Sequence, residues 1–433
     1  MGERITVFGA GYVGLVTGVC LASSGHVVTV LDVDRAKLDV LAEGRCPFFE
    51  PGLEELMAEA KAAGRLTFAE SSEAGPLDSI AIVAVGTPAT TTGSADMRYV
   101  RAVIDHIADV ATPGTVAVMK STVPPGTGRM LAARLEPAGV EYVSNPEFLR
   151  EGSAVTDWFA TDRIVLGGSG PGVERMRRLY DTIDAPVLAC DVTSAEMIKY
   201  ASNAFLATKI SFVNEIAVLC DLVGANIDEV AHGIGMDARI GSAFLRPGIG
   251  YGGSCFPKDT RALDFLATLH GYDFHLLRAV IEVNARQRLL PVRALKAHFG
   301  SLEGKRIAVL GLTFKPETDD TREAPAIEIV QLLAAEGAEV VGYNPIPVTL
   351  PDGPAIAATL AEAVASADAV VLATEWSEIV NADWTTLVGS MREGAVVFDG
   401  RNGLDPQVIS AAGAKYIGVG RPDGVGCNGP TAH

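Results

Sequence analysis

The sequence predicts an α/β chain with two doubly wound parallel-sheet domains, joined by a long central helix and a helical middle domain. Three observations carry that prediction. Short apolar strands alternate with helical segments near both ends of the chain. Between them, helical periodicity continues unbroken for roughly 30 residues. The 46 glycines, many of them just after strands, supply the tight turns that such sheets need.

At 433 residues the chain exceeds a single core. The patterns divide it into an expected first domain at 1–192, a middle domain at 193–300 and a last domain at 301–433. With 48% apolar and 20% charged residues it reads as a well-buried globular protein. The net charge of −18 argues against nucleic acid or an anionic membrane surface as a partner. An anionic ligand would need the scarce Lys and Arg gathered locally. Six cysteines (20, 46, 190, 220, 255 and 427) lie far apart, with no CxxC pair and no zinc-like spacing. They fit reduced thiols in a cytoplasmic protein without a metal. The apolar stretch 5–22 lacks the charge pattern and cleavage site of a signal peptide, and is too broken by glycine to span a bilayer.

Ile5-Thr6-Val7-Phe8 reads as a short buried strand. It leads into Gly9-Ala10-Gly11-Tyr12-Val13-Gly14, then an apolar helix to about Ser23, then a strand at 27–31 that ends at Asp32. GxGxxG alone is a weak signal. In the order strand, glycines, helix, strand, acid it is the dinucleotide fingerprint of a Rossmann-like domain. The glycines let backbone approach a pyrophosphate, whose charge meets the helix N-terminus. Asp32 would accept from both ribose hydroxyls and repel a 2′-phosphate, so NAD is expected over NADP. Further strands are expected at 80–85, 115–120, 142–143 and 164–166. Two end in polar turns, Gly86-Thr87-Pro88 and Lys120-Ser121-Thr122-Val123-Pro124, at the sheet edge where ligands bind. Thr87 and Thr122 are candidate cofactor contacts or simple turn caps. The carboxylates of Asn145-Pro146-Glu147-Phe148-Leu149-Arg150-Glu151-Gly152 are chemical or merely solvated; spacing does not choose.

Thr193-Ser194-Ala195-Glu196 reads as a capping box, and the helix it opens runs to Val223, where Gly224 stops it. That is a rod of about 45 Å. Lys199 and Asn203, four apart, share one face among apolar flanks, as a half-buried pair or a solvated stripe. Residues 239–253 then hold five glycines and Pro247, which exclude a helix and suggest a ligand against bare backbone. Gly252-Gly253-Ser254-Cys255-Phe256-Pro257-Lys258-Asp259 places a cysteine just before a segment with helical spacing. A helix starting there would aim N–H groups and its positive end at the sulfur, and Lys258 adds a cation; both favour the thiolate. A buried structural cysteine is the ordinary alternative. Glycines on one side and Lys and Asp on the other are poor core material. Cys255 reads as a covalent catalyst. Helical segments to about Phe299 complete the middle domain.

Residues 305–314 (KRIAVLGLTF) open a second α/β unit, with strands at 339–343, 369–373 and 395–399. The two ends look like a degenerate repeat, although the second lacks GxGxxG. In its place, FKPETDDTRE sets Lys315 and Arg322 beyond a strand end, and Arg401 follows a later strand. These suggest phosphate contacts, or a solvated charge run. The tail after about Gly420 is expected to be mobile.

Together the motifs resemble the UDP-glucose/GDP-mannose dehydrogenase family over nearly the whole chain: GAGYVG, KSTVPPGT, NPEFLREG, NAFLATKIS, FLRPGIGYGGSCFPKD and FKPETDDTREAP. The resemblance implies an N-terminal NAD domain, a long helix that builds a homodimer, and a C-terminal domain for the nucleotide sugar. It implies cofactor contacts from Gly9, Gly11, Tyr12, Val13, Gly14, Asp32, Lys37, Thr87, Thr122, Lys258 and Arg322. It implies substrate contacts from Phe148, Leu149, Arg150, Glu151, Phe244 and Phe314, and from the backbone of Gly248, Ile249, Gly250, Tyr251 and Gly252. Lys315 and Arg401 would meet the phosphates, and Arg239 would reach in from the neighbouring subunit. The FLRPGIGYGG and NPEFLREGSAV segments resemble the UDP-glucose branch of the family more than the GDP-mannose or N-acetylmannosamine branches, which implies UDP-glucose as substrate.

The implied reaction is oxidation of a sugar C6 alcohol to a carboxylate with two NAD molecules. After the first hydride leaves, Cys255 would add to the aldehyde as a thiohemiacetal; a second hydride loss gives a thioester that water hydrolyses. Each step develops an oxyanion, which the family assigns to the residues matching Lys199 and Asn203. Asp259 lies one helical turn after Cys255 and, with Glu147, is a candidate base for the hydrolytic water. The sequence leaves the choice between them open.

Overall fold

Runs of β-branched residues build two separate sheets in the computed structural model, which describes residues 2–73, 77, 79–350 and 353–421. The first sheet comprises β1 (Arg4–Phe8), β2 (Val27–Asp32), β3 (Leu66–Glu70), β4 (Ile80–Val83), β5 (Val116–Met119), β6 (Glu141–Ser144), β7 (Ile164–Gly167) and β8 (Val187–Cys190). Their order is β3-β2-β1-β4-β5-β6-β7-β8. Neighbours run parallel except β6 and β7, which meet antiparallel at Ser144 and Gly167. Strands β4 and β5 (IAIV and VAVM) are buried along their whole length, as strands covered on both faces must be.

The second sheet comprises β9 (Arg306–Leu310), β10 (Glu339–Tyr343), β11 (Ala355–Ile356), β12 (Ala369–Leu372), β13 (Val396–Asp399) and β14 (Lys415–Gly418). It is parallel throughout, in the order β11-β10-β9-β12-β13-β14. That is the order of the first six strands of the first sheet, so the repeat is one of topology. The turns agree. Gly9 after β1 and Gly311 after β9 both have positive φ, +106° and +80°. A Cβ on either would lie 2.6 Å from a backbone oxygen, that of Ala84 or Thr374. Strands β3, β8, β11 and β14, which the apolar pattern did not announce, are the four sheet edges. An edge strand has one flank outside the sheet and needs no continuous apolar run.

The central helix, Val192–Val223, has 32 residues. The capping box is corrected. Asp191 caps the helix instead, its Oδ1 accepting from Ser194 N at 3.0 Å. Glu196 turns away and accepts from the backbone N–H groups of Gly126 and Gly128, each at 2.7 Å. Those groups begin the helix Thr127–Leu135, whose Ncap Gly126 offers no side chain. A buried carboxylate there fills orphan donors that a cap would otherwise fill.

Two compact units divide the chain: Met1–Ser202 with Phe265–His270, and Asn203–Asp264 with Gly271–His433. In the first, apolar clusters around Leu15, Val30 and Leu166 and around Ile104 and Met119 cover the sheet. In the second, clusters around Ile329 and Val371 and around Leu372 and Trp384 do the same. Among the described residues, no helix is long and apolar enough to cross a membrane, and no His, Cys, Asp and Glu cluster could hold a metal. Cys427 and the tail expected to be mobile lie, beyond Arg421, outside the described residues.

Glu196 makes folding pH-dependent. It is 3% exposed, and burial pushes its carboxyl up to about 7. A raised carboxyl favours the fold in its neutral form; that contribution is full below about 4.5 and lost as pH rises through about 7. Urea melts of wild type and Glu196→Gln should therefore diverge over that window, the wild type losing on the order of 2 kcal/mol relative to the variant. Parallel pH profiles would remove this assignment.

Candidate active site

The dinucleotide turn leaves its helix end open. The helix Tyr12–Ser23 has no side chain capping its first N–H groups. A Cβ on Gly14 would stand 1.9 Å from the Gly9 oxygen, so this glycine is required by packing. A Cβ on Gly11 would meet nothing within 4 Å. An uncapped helix start beside the open space at Gly11 fits a pyrophosphate. Asp32 ends β2, is 7% exposed, and is aimed by two backbone donors, Ala10 N to Oδ2 at 2.7 Å and Asp34 N to Oδ1 at 2.8 Å. Lys37 Nζ lies 3.9 Å from the same carboxylate, and Val13 packs on the core. The Thr87 hydroxyl donates to the Thr122 carbonyl at 3.0 Å, tying the turns after β4 and β5 together. Its proton is thereby a turn cap's, while its lone pairs remain.

Beyond β6 the carboxylates prove not to be merely solvated. Glu147 is 6% exposed and Lys199 4%; Lys199 Nζ donates to Glu147 Oε1 at 3.0 Å, and Leu149 N donates to Oε2 at 2.6 Å. The Phe148 ring receives the Arg163 guanidinium at 4.0 Å from its centroid and Lys199 Nζ at 5.4 Å. Arg150 is held by Asp157, its Nε at 3.0 Å, and Glu151 is buried. A second lysine, Lys120, lies under this loop, donating to Asn145 Oδ1 at 3.2 Å; burial holds it down at about 8.

One turn on from Lys199, Asn203 Nδ2 donates to Asp259 Oδ2 at 2.6 Å. Lys258 Nζ bonds Asp259 Oδ1 at 2.5 Å, so the cation expected beside the sulfur sits on this carboxylate. Asp259 is 1% exposed. Cys255 immediately precedes the helix Phe256–Leu269, and its carbonyl accepts from Asp259 N at 2.8 Å, the first turn of that helix. The thiol therefore stands at the positive end of a 14-residue helix, with Ser254 Oγ 3.6 Å from the sulfur. The other described cysteines stand elsewhere in the fold. Burial pushes Cys20 and Cys46 up to about 12 and raises Cys190 and Cys220 as well.

The glycine-rich loop corrects the reason given for its composition. Added Cβ atoms would meet protein: Gly400 O at 2.6 Å from Gly248, Asn284 Oδ1 at 2.7 Å from Gly250, Glu323 O at 2.2 Å from Gly252, and the Phe314 ring at 2.8 Å from Gly253. The chain's own close packing demands these glycines, whether or not a ligand also lies there. Polar side chains hold the backbone: Asn214 accepts from Gly248 N at 2.8 Å, Asn284 accepts from Tyr251 N at 2.7 Å, and Gln287 donates to Gly248 O at 2.8 Å. Sequence reasoning missed all three. Asn284 and Gln287 share the buried stripe of Leu277 and Val280 on the helix His275–Gln287, and polar residues on an apolar stripe were the available signal. Ile249 N donates to Gly400 O at 3.1 Å, and Gly253 N to Arg322 O at 3.1 Å. Arg401 donates to Ala373 O at 2.7 Å and to Gly250 O at 3.4 Å. The structure thus gathers the 248–253 loop, Phe314, Arg322 and Arg401. Phe244, at a φ of +64°, lies near Phe256, the ring centroids 6.2 Å apart and the planes tilted by 56°. Lys315 Nζ lies 5.5 Å from the Phe314 centroid. Arg239 stays on its own turn, bonded to Asp237 and 89% exposed.

A doubly wound sheet with an open glycine turn and an acid at the end of β2, together with a second sheet of the same strand order, fits the dinucleotide-binding class of α/β protein. Residues 3–184, 193–286 and 308–406 match the NAD binding, central and UDP binding domains of the UDP-glucose/GDP-mannose dehydrogenase family. UDP-glucose 6-dehydrogenase YwqF of Bacillus subtilis is 47% identical over 96% of this chain and 98% of that protein. A UDP-glucose dehydrogenase structure from Pyrobaculum islandicum superposes with a TM-score of 0.88 at 38% identity, covering 97% of this chain and 98% of that one. A UDP-D-ManNAc dehydrogenase from Pyrococcus horikoshii gives a TM-score of 0.86 at 29% identity, covering 97% and 100%. The chain belongs to the UDP-glucose/GDP-mannose dehydrogenase family, and its cofactor is NAD.

The two glycines of the turn separate fold from binding. Gly11→Ala should melt within a degree or two of wild type and bind NAD at least ~10-fold more weakly in titration calorimetry, because its methyl enters the open space. Gly14→Ala should lose more than ~3 kcal/mol of stability through its clash with Gly9. Normal NAD affinity in Gly11→Ala would move the pyrophosphate away from this turn.

Proposed function

We propose that this protein oxidises the C6 alcohol of UDP-glucose to the carboxylate of UDP-glucuronate through a covalent intermediate on Cys255. The observation that carries the reading is a thiol at a helix N-terminus, one turn before a buried carboxylate bound to Asn203 and Lys258. The higher identity to proteins named for UDP-glucose than to the UDP-D-ManNAc enzyme supports the substrate. NAD, held by the 9–14 turn and Asp32, supplies the hydride acceptor for each of two oxidations. Lys258 and Arg322, with Lys37, Thr87 and Thr122, complete the proposed cofactor contacts.

The chain's own groups do the rest. The ammonium of Lys199 and the amide of Asn203, one turn apart on one helix, are assigned to the oxygen that develops negative charge. Cys255 Sγ adds to the aldehyde carbon as its oxygen takes a proton. After the second oxidation, water attacks the thioester carbon, the carbon–sulfur bond breaks and the thiolate leaves. Asp259 and Glu147 are the two bases available to that water. Asp259 is fixed to the helix that carries the thiol, and both carboxylates have both oxygens engaged, Glu147 by Lys199 and Leu149 N, Asp259 by Asn203 and Lys258. Loop 148–151, the 248–252 backbone with Phe244 and Phe314, and Lys315 and Arg401 are assigned to the sugar nucleotide. The boundaries near 192 and 300 and a reducing cytoplasm suit this reading.

We also propose a homodimer. Phe205, Phe212 and Leu219 recur every seven residues on the central helix at 66%, 53% and 54% exposure, beside Leu222 at 64% and Val223 at 76%. A second copy would cover that stripe, and Arg239 on its turn is assigned to the partner's substrate.

Limiting UDP-glucose should yield two NADH per sugar by absorbance, with GDP-mannose and UDP-N-acetylmannosamine turned over far more slowly. One NADH per sugar and an aldehyde product would instead mark a two-electron dehydrogenase. Cys255→Ala should lower kcat for the acid by ~10³-fold or more, and Cys255→Ser should stall with a slowly hydrolysed ester while UDP-glucose affinity stays near wild type. Acid formation by Cys255→Ala within a few-fold of wild type would end the covalent mechanism. Phe205→Lys with Phe212→Lys should shift the mass in light scattering from dimer to monomer; a fully active wild-type monomer would refute the dimer.

A further inference from the structure

Glu50 belongs to no motif the function uses, yet it is 6% exposed and densely bonded. It lies between the helices Arg35–Ala42 and Leu53–Ala62. Its Oε1 accepts from Ala154 N at 2.7 Å and from Val155 N at 3.4 Å. Its Oε2 accepts from Gly152 N at 2.7 Å and from the Tyr12 hydroxyl. Tyr12 is the first residue of the helix on the dinucleotide turn. Its hydroxyl oxygen also accepts from Gly152 N, at 3.0 Å, and its ring packs on Phe48 at 4.9 Å. A buried carboxylate is tolerable only when its lone pairs are filled, and charge-assisted bonds of this kind are strong and directional. One side chain therefore ties the cofactor turn to the far end of the loop whose near end is Glu147 on Lys199.

We propose that Glu50 is a positioning residue that couples the dinucleotide turn to the 147–152 loop, so that a ligand ordering one seats the other. Occupancy of the turn restricts Tyr12; the shared carboxylate passes that restriction to Gly152 and Ala154. By linkage, whatever the loop binds must act back on the cofactor by the same factor. The inference rests on the reading that residues 148–151 meet the sugar nucleotide.

The test uses NADH with UDP-glucose, a pair that cannot react, and measures each dissociation constant by calorimetry with the other ligand absent and saturating. In wild type, each ligand should tighten the other by about 5-fold or more. Glu50→Gln places an NH₂ group against a backbone N–H that it cannot accept from. It should bind each ligand alone within about 3-fold of wild type and reduce the coupling below about 2-fold. Tyr12→Phe removes only the hydroxyl, is the variant safest for folding, and should lose the coupling in the same direction; a merely structural Glu50 would leave it unmoved. Wild-type ligands that bind independently, or folded variants with unchanged coupling, would overturn the proposal. Failure of UDP-glucose to bind wild type would instead overturn the substrate reading, and the nucleotide sugar that does bind would then decide the coupling.

Discussion

Lys199 and Glu147 are each more than nine-tenths buried, and neither charge is tolerable at that depth without the other within hydrogen-bond reach. Much of the first unit's candidate site follows from that pairing. Holding Glu147 against the central helix fixes where the chain goes after β6, and Leu149 N closes back on the same carboxylate. Phe148 is then left with its ring against Arg163 and Lys199. The helix that carries Lys199 runs on through Asn203.

The second unit solves a different problem with the same economy of parts. Its loop from 248 to 253 must pass close against Gly400, Asn284, Glu323 and Phe314. Glycine permits the approach but fixes nothing, having lost no side-chain freedom and made no side-chain contact. Order comes from outside the loop, from Asn214, Asn284 and Gln287, whose amides replace the hydrogen bonds that a strand or helix would have made. The Cys255 helix begins directly after this loop, so the thiol inherits its position from amides on other helices.

Buried carboxylates recur as joints at several turns and helix starts. Glu196 fills the N–H groups of Gly126 and Gly128, Asp32 those of Ala10 and Asp34, Glu50 those of Gly152 and Ala154, and Asp399 those of Gly403 and Leu404. Each satisfies backbone donors that would otherwise be orphaned where the chain turns. Asp32 and Asp399 hold donors close by in sequence, whereas the donors of Glu196 and Glu50 lie 68 to 104 residues away and are not announced by their neighbours.

What the sequence by itself determined is whatever depends on short spacing. The dinucleotide turn, the central strands, the length of the central helix and a thiol at a helix start all follow from periods of two and 3.6 and from glycine placement, which nearby chain geometry enforces. Only the tertiary structure decided which polar groups meet. It moved the helix cap from Thr193 to Asp191 and gave Glu196 a turn to hold. It turned a loop that looked shaped for a ligand into one shaped first by its own neighbours, and found the edge strands that carry no continuous apolar pattern. The reason is physical: apolar burial is read from composition along a short window, whereas a buried charge is resolved by whichever partner the fold brings within 3 Å, and that partner's position in the sequence is unconstrained.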